Sequence, residues 1–498
     1  MYLGIDLGTS EVKVLLLDEQ GKVVGTAHAP LTVSRPQPRY SEQNPEDWWT
    51  ATCGALDQLR SAYPTQYAHI KGLGLTGQMH GATLLDAEDQ VLRPAILWND
   101  MRSVPECAEL VKREPDTLSI TGNLAMPGFT APKLLWVAKH EPEIFAKIRH
   151  ILLPKDFLRL KLTGEYITDP SDAAGTLWLD VGKRQWSERM LAACDLRLDQ
   201  MPRLVEGSAP GGRVLPAIAD RLGLTTGIIV AGGGGDNAGS AIGIGASQAG
   251  DGFISLGTSG VLFVVNDRFQ PNPASAVHAF CHALPGRWHQ MSVVLSAASC
   301  LRWACKLTGI DEAALLAEVA PLSFAQRRSA PIFLPYLSGE RTPHNDPYAQ
   351  GVLFGITHGT DRAQLGYAVL EGVAFSLADG LAALADAGTL VSALSLLGGG
   401  SRSPYWAQLI ADVLTLDIHV HDGAESGAAL GAAALGWLAA GGSESEVLKR
   451  PPVHTSYHPD ATYSALLAMR LARYRALYRA NAPLFIEAAE SDPSQMRA

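Results

Sequence analysis

Two aspartates beside glycine-rich turns are the residues best placed to do chemistry in this chain. Asp6 lies within the segment Gly4–Ser10, and Asp236 follows four consecutive glycines. One carboxylate can hold Mg²⁺ directly or through water, and another can take the proton from an attacking hydroxyl. Together with the glycine-rich turns described next, the pair predicts phosphoryl transfer, with Asp6 near the metal and Asp236 as the general base. The alternative for Asp236 is a residue that only stabilises a helix N-terminus.

The segment Gly4–Ser10 has an echo half a chain later, at Leu256–Gly260. Both are flanked by apolar runs typical of buried strands, so each predicts a strand, a tight turn and a strand. Glycine lets the backbone approach a bound group, and Thr and Ser add donors for anionic oxygens. One copy is typical of a plain hairpin, but two indicate a duplicated domain whose turns face each other across a cleft. We expect Thr9, Gly257 and Thr258 to contact the phosphates.

A third glycine turn lies in the second half of the chain. The apolar run Leu394–Leu397 leads into Gly398–Ser403, and a helix is predicted to follow. A buried strand that feeds a glycine loop at a helix start is a general nucleotide-holding arrangement. The segment matches neither the G-x-x-x-x-G-K-[ST] motif nor a dinucleotide fingerprint. We expect Gly399, Gly400 and Ser403 to contact ATP.

Polar side chains also follow two predicted strands of the first half. One strand ends just before Met79 and His80, and another ends just before Asn99 and Asp100. Groups just past the carboxyl ends of strands build the site in α/β folds, so these residues are candidates for the acceptor site. The alternatives are a loop histidine with no role in binding for His80, and a structural ion pair with Arg102 for Asp100.

The order of apolar runs and helical stretches predicts an α/β fold in two large domains, residues 1–246 and 247–498;. The first would hold the acceptor and the base, and the second would hold ATP. Closing the cleft would exclude water and favour transfer over ATP hydrolysis. The small residues from Ala238 to Gly245 permit close packing or a hinge. Helices are predicted over Glu46–Arg60, capped by Asn44, and over Arg362–Ala387.

Composition argues against several other classes of protein. The net charge of −10 at pH 7 is the opposite of what nucleic-acid binding requires;. The six cysteines show no metal-binding spacing, which indicates reduced thiols in a cytoplasmic protein;. The sequence shows no secretory leader and no uninterrupted apolar run of membrane-spanning length. We therefore expect a cytoplasmic enzyme that contacts neither nucleic acid nor membrane.

Several segments resemble those of the FGGY family of carbohydrate kinases, and the resemblance runs from Met1 to about Ala480. The segments are Gly77–Ala82, Pro94–Asp100, Gly128–His140, Gly234–Asn237 and Leu396–Leu414. The resemblance implies two duplicated actin-like ATPase domains of the ribonuclease H-like kind, with a cleft between them. It implies transfer of a phosphoryl group from ATP to a sugar. The pair Met79-His80 stands where glycerol kinases carry Arg-Glu, which implies a sugar other than glycerol.

Within the family, the resemblance implies D-xylulose and ATP as the substrates and Mg²⁺ as the metal, held by Asp6. It implies Asp236 as the proton acceptor. The residues that it places at the sugar are Met79, His80, Asn99, Asp100 and Asn237. Two alternatives stay open, namely a kinase for another ketose or polyol such as ribulose, and a non-kinase ATPase of the actin-like fold. A homodimer is one option for the assembly.

Overall fold

The computed structural model describes residues 1–421 and 427–491, with side chains described as far as Glu487. Two seven-stranded sheets organise this part of the chain. The strands of the first sheet are Tyr2–Leu7 (β1), Glu11–Leu17 (β2), Val23–Pro30 (β3), Gly72–Gly77 (β4), Pro210–Arg213 (β5), Ile229–Ala231 (β6) and Gly234–Gly235 (β7). The strands of the second are Gly252–Leu256 (β8), Gly260–Asn266 (β9), His278–Cys281 (β10), Trp288–Val294 (β11), Ala393–Leu397 (β12), Asp417–His421 (β13) and Val453–Tyr457 (β14).

The two sheets repeat one topology. The first runs β5-β6-β4-β1-β2-β3, with β7 also pairing with β4, and the second runs β14-β13-β12-β8-β9-β11-β10. Each has an antiparallel hairpin, β1/β2 or β8/β9, whose first strand pairs in parallel with β4 or β12. The predicted hairpins and the predicted duplication are therefore confirmed, because the same strand order arises twice.

Eleven helices of eight or more residues are described. They are Pro45–Ala62 (α1), Val104–Arg113 (α2), Thr130–His140 (α3), Pro154–Thr163 (α4), Asp236–Gly243 (α5), Ala298–Thr308 (α6), Glu312–Val319 (α7), Arg362–Asp386 (α8), Pro404–Leu414 (α9), Gly427–Ala439 (α10) and Ala461–Ser491 (α11). Shorter helices are Pro64–Tyr67, Thr117–Thr121, Pro142–Phe145, Pro170–Ala173, Glu188–Ala192, Pro216–Leu222, Phe324–Ser329 and Glu444–Val447. Short two-stranded ladders join the remaining strands, such as Thr83–Leu85 with His150–Leu152.

Local sequence explains where the main helices begin. Asn44 caps α1 by accepting a hydrogen bond from the Glu46 N–H at 3.2 Å, and Pro45 occupies the first helical position;. The predicted cap is thus confirmed.

Among the described helices, α8 alone is long and apolar enough to cross a bilayer. Most of its apolar stretch is buried inside the protein, as in a core helix.

Two helices of small residues cross at the first sheet. α10 comes from the second half of the chain, yet it lies on β1 and β4, where a Cβ on Gly4 or Gly74 would clash with its backbone. It also packs on α5, because a Cβ on Gly431 would clash with the carbonyl oxygen of Gly239. Glycine is required at these positions because two backbones approach each other directly. The close packing predicted for the residues after Asp236 is confirmed.

Candidate active site

The carboxyl ends of three neighbouring strands bring the two predicted acids to one edge of the first sheet. Asp6 pairs with Thr76 on one side of β4, and Gly234 pairs with Thr76 on the other side. Strands lie about 4.8 Å apart, so the backbones of Asp6 and Gly234 are roughly 10 Å apart. Asp236 follows Gly234 by two residues, at the start of α5. Both carboxylates therefore lie at the same edge, where α/β folds bind ligands.

Asp6 is a partly buried carboxylate with one oxygen engaged. Its Oδ1 accepts a hydrogen bond from Thr76 Oγ1 at 3.0 Å. Burial raises the pKa of Asp6 to about 6, although the Thr76 hydroxyl and the Lys13 ammonium favour the ionised form;. The raised pKa means that burial destabilises the ionised carboxylate, and a cation bound nearby would stabilise it. The site therefore favours a bound positive charge.

Asp236 is a partly exposed carboxylate with a raised pKa. Burial, and next the charge of Asp6, raise its pKa to about 7. Its Oδ1 accepts hydrogen bonds from the Asn237 backbone N–H at 2.7 Å and from Asn237 Nδ2 at 2.9 Å. Asn237 therefore orients the carboxylate and favours its ionised form. Burial and the charge of Asp6 outweigh these hydrogen bonds, so Asp236 is a stronger base than an aspartate of ordinary pKa;.

Met79 and His80 lie beside the turn that carries Asp236. A Cβ on Gly235 would come within 2.9 Å of the Met79 side chain, and one on Gly175 within 2.6 Å of the His80 ring. His80 has φ of 69°, a left-handed backbone conformation that residues with a side chain rarely adopt;. The structure thus brings Met79, His80 and Asp236 together.

The imidazole of His80 is neutral and fixed in orientation. Burial, together with the Lys133 ammonium, lowers the pKa of His80 to about 3. Its Nδ1 lies 2.6 Å from the Gly175 carbonyl oxygen, which can only accept, so Nδ1 carries the proton;. Nε2 is consequently a hydrogen-bond acceptor, suited to a hydroxyl group.

Residues that sequence reasoning left without a role hold His80 in place. The His80 carbonyl oxygen accepts hydrogen bonds from Thr130 Oγ1 at 3.1 Å and from Lys133 Nζ at 2.8 Å. Burial lowers the pKa of Lys133 to about 7. The ring of Phe129 meets that of His80 edge-on, with centroids 4.9 Å apart. All three belong to the segment Gly128–His140, and that signature could have pointed to them.

Asn99 and Asp100 have different surroundings. Asn99 Oδ1 is buried and has no hydrogen-bond partner within the described residues. Asp100 is fully buried and accepts from the Arg102 guanidinium at 2.7 and 2.9 Å and from the Ser41 N–H at 2.6 Å. The structural ion pair left open by the sequence is therefore present. Contact between Asp100 and a ligand stays a prediction, and this geometry does not favour it.

The first turn is tied to the segment that precedes Met79. Thr9 Oγ1 donates to Gln78 Oε1 at 3.0 Å and accepts from the Trp98 indole N–H at 3.0 Å. Gln43 Nε2 donates to the Thr9 carbonyl oxygen at 2.8 Å. The Trp98 side chain stays about half exposed, so the indole lies over the turn and toward solvent.

In the second sheet, the parallel strands β8 and β12 bring the second hairpin turn next to the third glycine turn. Ser255 pairs with Leu397, so both turns leave the same edge. A cavity of about 530 Å³ opens there. Its lining includes three predicted ATP contacts, Gly399, Gly400 and Ser403, together with Arg302, Glu312 and Trp406.

Arg302 links this cavity to the hairpin turn. Its guanidinium donates to Thr258 Oγ1 at 2.9 Å, and Thr258 itself is exposed. The predicted α9 begins at Pro404, with Ser403 as its N-cap. The volume lies within the range of small-molecule sites. The arrangement can hold a nucleobase in the cavity with its phosphates directed to Gly257 and Thr258.

A Mg²⁺ ion fits the donor set beside β1. Mg²⁺ usually takes one or two carboxylates and completes its shell with water and substrate phosphates. Within residues 1–421 and 427–491 no cluster of three or more His, Cys, Asp or Glu could hold a metal. A metal that arrives with a nucleotide and is met by Asp6 is compatible with both observations.

The whole chain is similar to known carbohydrate kinases. Sequence models of the N- and C-terminal domains of the FGGY family of carbohydrate kinases match residues 1–243 and 252–440. A xylulose kinase of Escherichia coli K12 is 54% identical over 487 residues, which are 97% of this chain and 100% of that protein. One of Bacillus subtilis is 38% identical over 89% of each chain. A crystal structure of a xyloylose kinase from Brucella ovis superimposes with a TM-score of 0.94 at 52% identity, over 97% of this chain and 99% of that one.

Proposed function

Because the chain belongs to the FGGY family of carbohydrate kinases, we propose that it phosphorylates D-xylulose with ATP to give D-xylulose 5-phosphate and ADP. The α/β fold expected from the sequence is that of the family. One observation carries the proposal for this chain. Asp6 and Asp236 flank β4, and Met79 and His80 follow directly from its end.

Asp236 is the proposed general base. The attacking hydroxyl of the sugar gives its proton to the Asp236 carboxylate as the oxygen bonds to the γ-phosphorus of ATP and ADP leaves. With a pKa raised to about 7, this aspartate is better matched to neutral pH than an ordinary one;. Mg²⁺, which Asp6 would hold directly or through water, would supply neutralisation of phosphate charge.

The sugar is proposed to lie against Met79 and His80. The neutral His80 ring offers Nε2 to a hydroxyl, and the thioether of Met79 offers apolar contact next to Gly235;. Asn99, with an unpartnered buried oxygen among the described residues, and Asn237, beside the base, are the further proposed contacts. Buried polar groups that need a hydroxyl partner discriminate strongly against ligands that lack it.

ATP is proposed to occupy the second half of the chain. The adenine and ribose of ATP fill the cavity at Gly399, Gly400 and Ser403. The phosphates of ATP reach Thr258 and Thr9. We place D-xylulose and the catalytic carboxylate of Asp236 in residues 1–246. ATP lies in residues 247–498, with Thr9 as its contact from the first half. A cytoplasmic location is in keeping with ATP as donor and with six free cysteines;. A homodimer stays a prediction.

The test is an assay of ADP release coupled to NADH oxidation, with D-xylulose, D-ribulose, L-ribulose and glycerol as acceptors. We expect the highest kcat/KM with D-xylulose. Asp236→Asn should abolish turnover, while the exposed Asp57→Asn, an identical change on α1, should leave it unchanged. A preference for ribulose or a polyol would replace the proposed substrate. ATP hydrolysis that ignores every sugar would favour a non-kinase ATPase.

A further inference from the structure

We propose that Ser171 is a positioning residue that holds the glycine turn carrying Asp236. This inference rests on the proposed function, in which Asp236 is the base. Ser171 Oγ accepts a hydrogen bond from the Gly235 backbone N–H at 3.2 Å, one residue before Asp236. Ser171 is fully buried, so it acts on the reaction only through this contact.

The direction of the Ser171 hydroxyl is fixed from its other side. Its single hydrogen is donated to Asp169 Oδ2, so the oxygen lone pairs are left for Gly235;. Asp169 Oδ2 also accepts from the Ser171 backbone N–H at 2.8 Å. A carboxylate that takes both donors of one serine leaves that side chain a single orientation.

A buried ammonium in turn fixes Asp169. Lys155 Nζ lies 3.0 Å from Asp169 Oδ1, 2.6 Å from Asp156 Oδ1 and 3.2 Å from Asp172 Oδ2. All four side chains are fully buried. Such a cluster is costly to desolvate and is poor evidence of stability, so a role in specifying one geometry is the better explanation.

The same helix holds the other end of the turn. Arg159, one turn after Lys155 on α4, donates to the carbonyl oxygen of Gly232 at 2.6 Å and to that of Gly211 at 3.2 Å. The turn Gly232–Gly235 is therefore held at its first carbonyl by Arg159 and at its last N–H by Ser171. Glycines alone give a turn many accessible conformations, and these two side-chain contacts add to the backbone pairing of Gly234 and Gly235 with β4 in fixing it;.

The consequence for the reaction follows from geometry. A base displaced by about 1 Å from its productive position can cost on the order of 100-fold in rate. Loss of the Ser171 hydrogen bond removes one of the contacts that fix the last residue before Asp236, while the cavity at Gly399 lies beside the other sheet. We therefore expect an effect on kcat that the KM for ATP does not share.

The experiment compares Ser171→Ala and Ser171→Cys with Ser292→Ala. Cysteine keeps the shape of the side chain with a somewhat larger atom and is a weak acceptor. Ser292 is a buried serine whose hydroxyl has no hydrogen-bond partner in the described part of the chain. Both Ser171 variants should lower kcat about 10- to 100-fold with the KM for ATP unchanged. The acid limb of kcat/KM should move to lower pH as Asp236 gains solvent. Ser292→Ala should match the wild type.

Two results would overturn the proposal. The first is a folded Ser171 variant with the kcat and pH profile of the wild type. If Asp236→Asn is inactive in the same assay, this result removes the role of Ser171 and leaves Asp236 as the proposed base. The second is failure of both variants to fold, which assigns Ser171 to folding alone. Turnover retained by Asp236→Asn would instead remove the proposed function itself.

Discussion

Replacing Asp236 by asparagine should stop phosphoryl transfer and, at alkaline pH, make the protein more stable. The pKa of Asp236 is raised from 3.8 to about 7 by burial and by the charge of Asp6. One pKa unit is worth about 1.4 kcal/mol, so the ionised carboxylate costs at most about 4 kcal/mol in the folded protein. Asp236 keeps some solvent contact, which reduces this to roughly 2–4 kcal/mol;. Asparagine removes the charge and keeps an oxygen for the two Asn237 donors.

The sign follows from proton binding. The folded protein holds the Asp236 proton more tightly than the unfolded chain, so stability falls as pH rises from about 4 to about 7. The free energy of urea unfolding is measured for the wild type and for Asp236→Asn at about pH 5 and about pH 8. The difference between the two proteins at each pH cancels the contributions of other titrating groups. The advantage of the variant should be about 2 kcal/mol larger at the higher pH. Asp57→Asn, the same change at an exposed side chain of α1, is measured in parallel as the control.

The reasoning would be refuted by an advantage that is equal at both pH values, or by a variant less stable than the wild type at about pH 8. Either result would mean that Asp236 is ionised in the folded protein at little cost. It would then titrate like an ordinary aspartate and be a weak base at neutral pH. A normal rate in Asp236→Asn would contradict the catalytic assignment separately, because that measurement does not depend on stability.

Three further outcomes are expected. His80→Ala should raise the KM for D-xylulose about tenfold through one lost hydrogen bond, and a change confined to the KM for ATP would contradict the sugar site. In steady-state kinetics, kcat/KM should rise with pH along a limb centred near the Asp236 pKa of about 7, and a flat profile there would exclude Asp236 as the titrating base;. Gly431→Ala should destabilise the protein by about 1–3 kcal/mol in thermal unfolding, because the new Cβ clashes with Gly239;. Gly54→Ala, in open space on α1, should not destabilise it;. Equal stability of the two variants would show that α5 and α10 can separate.

Much of the fold could be predicted because its signals are local. The hairpins at Gly4–Ser10 and Leu256–Gly260 combine apolar strands with turn residues that have few other conformations. Asp236 at a helix start and the loop Gly398–Ser403 before α9 follow from the same kind of signal. The partner of Asp100 could not be predicted, because its position just after a strand allowed either contact with a ligand or an ion pair with Arg102.

Other features depend on contacts between distant segments. The sequence gives no local sign that Lys133 reaches the His80 carbonyl oxygen, or that Ser171 reaches Gly235, 64 residues away. The raised pKa of Asp236 depends on burial and on Asp6, more than 200 residues earlier, and neither is visible in a motif. The candidate catalytic groups are therefore easier to recognise in the sequence than the residues that hold them.

The position of α10 has a consequence for synthesis on the ribosome. Trp437 of α10 stacks on Tyr2 of β1 with ring centroids 4.8 Å apart. A strand made at the start of translation is therefore covered by a helix made near its end. Roughly 200 residues separate the first sheet from α10, which at about 5–20 residues per second is a wait of ~10–40 s. During that interval the first half lacks the helix that covers Tyr2, Leu15 and Leu17, so this apolar face is open to water.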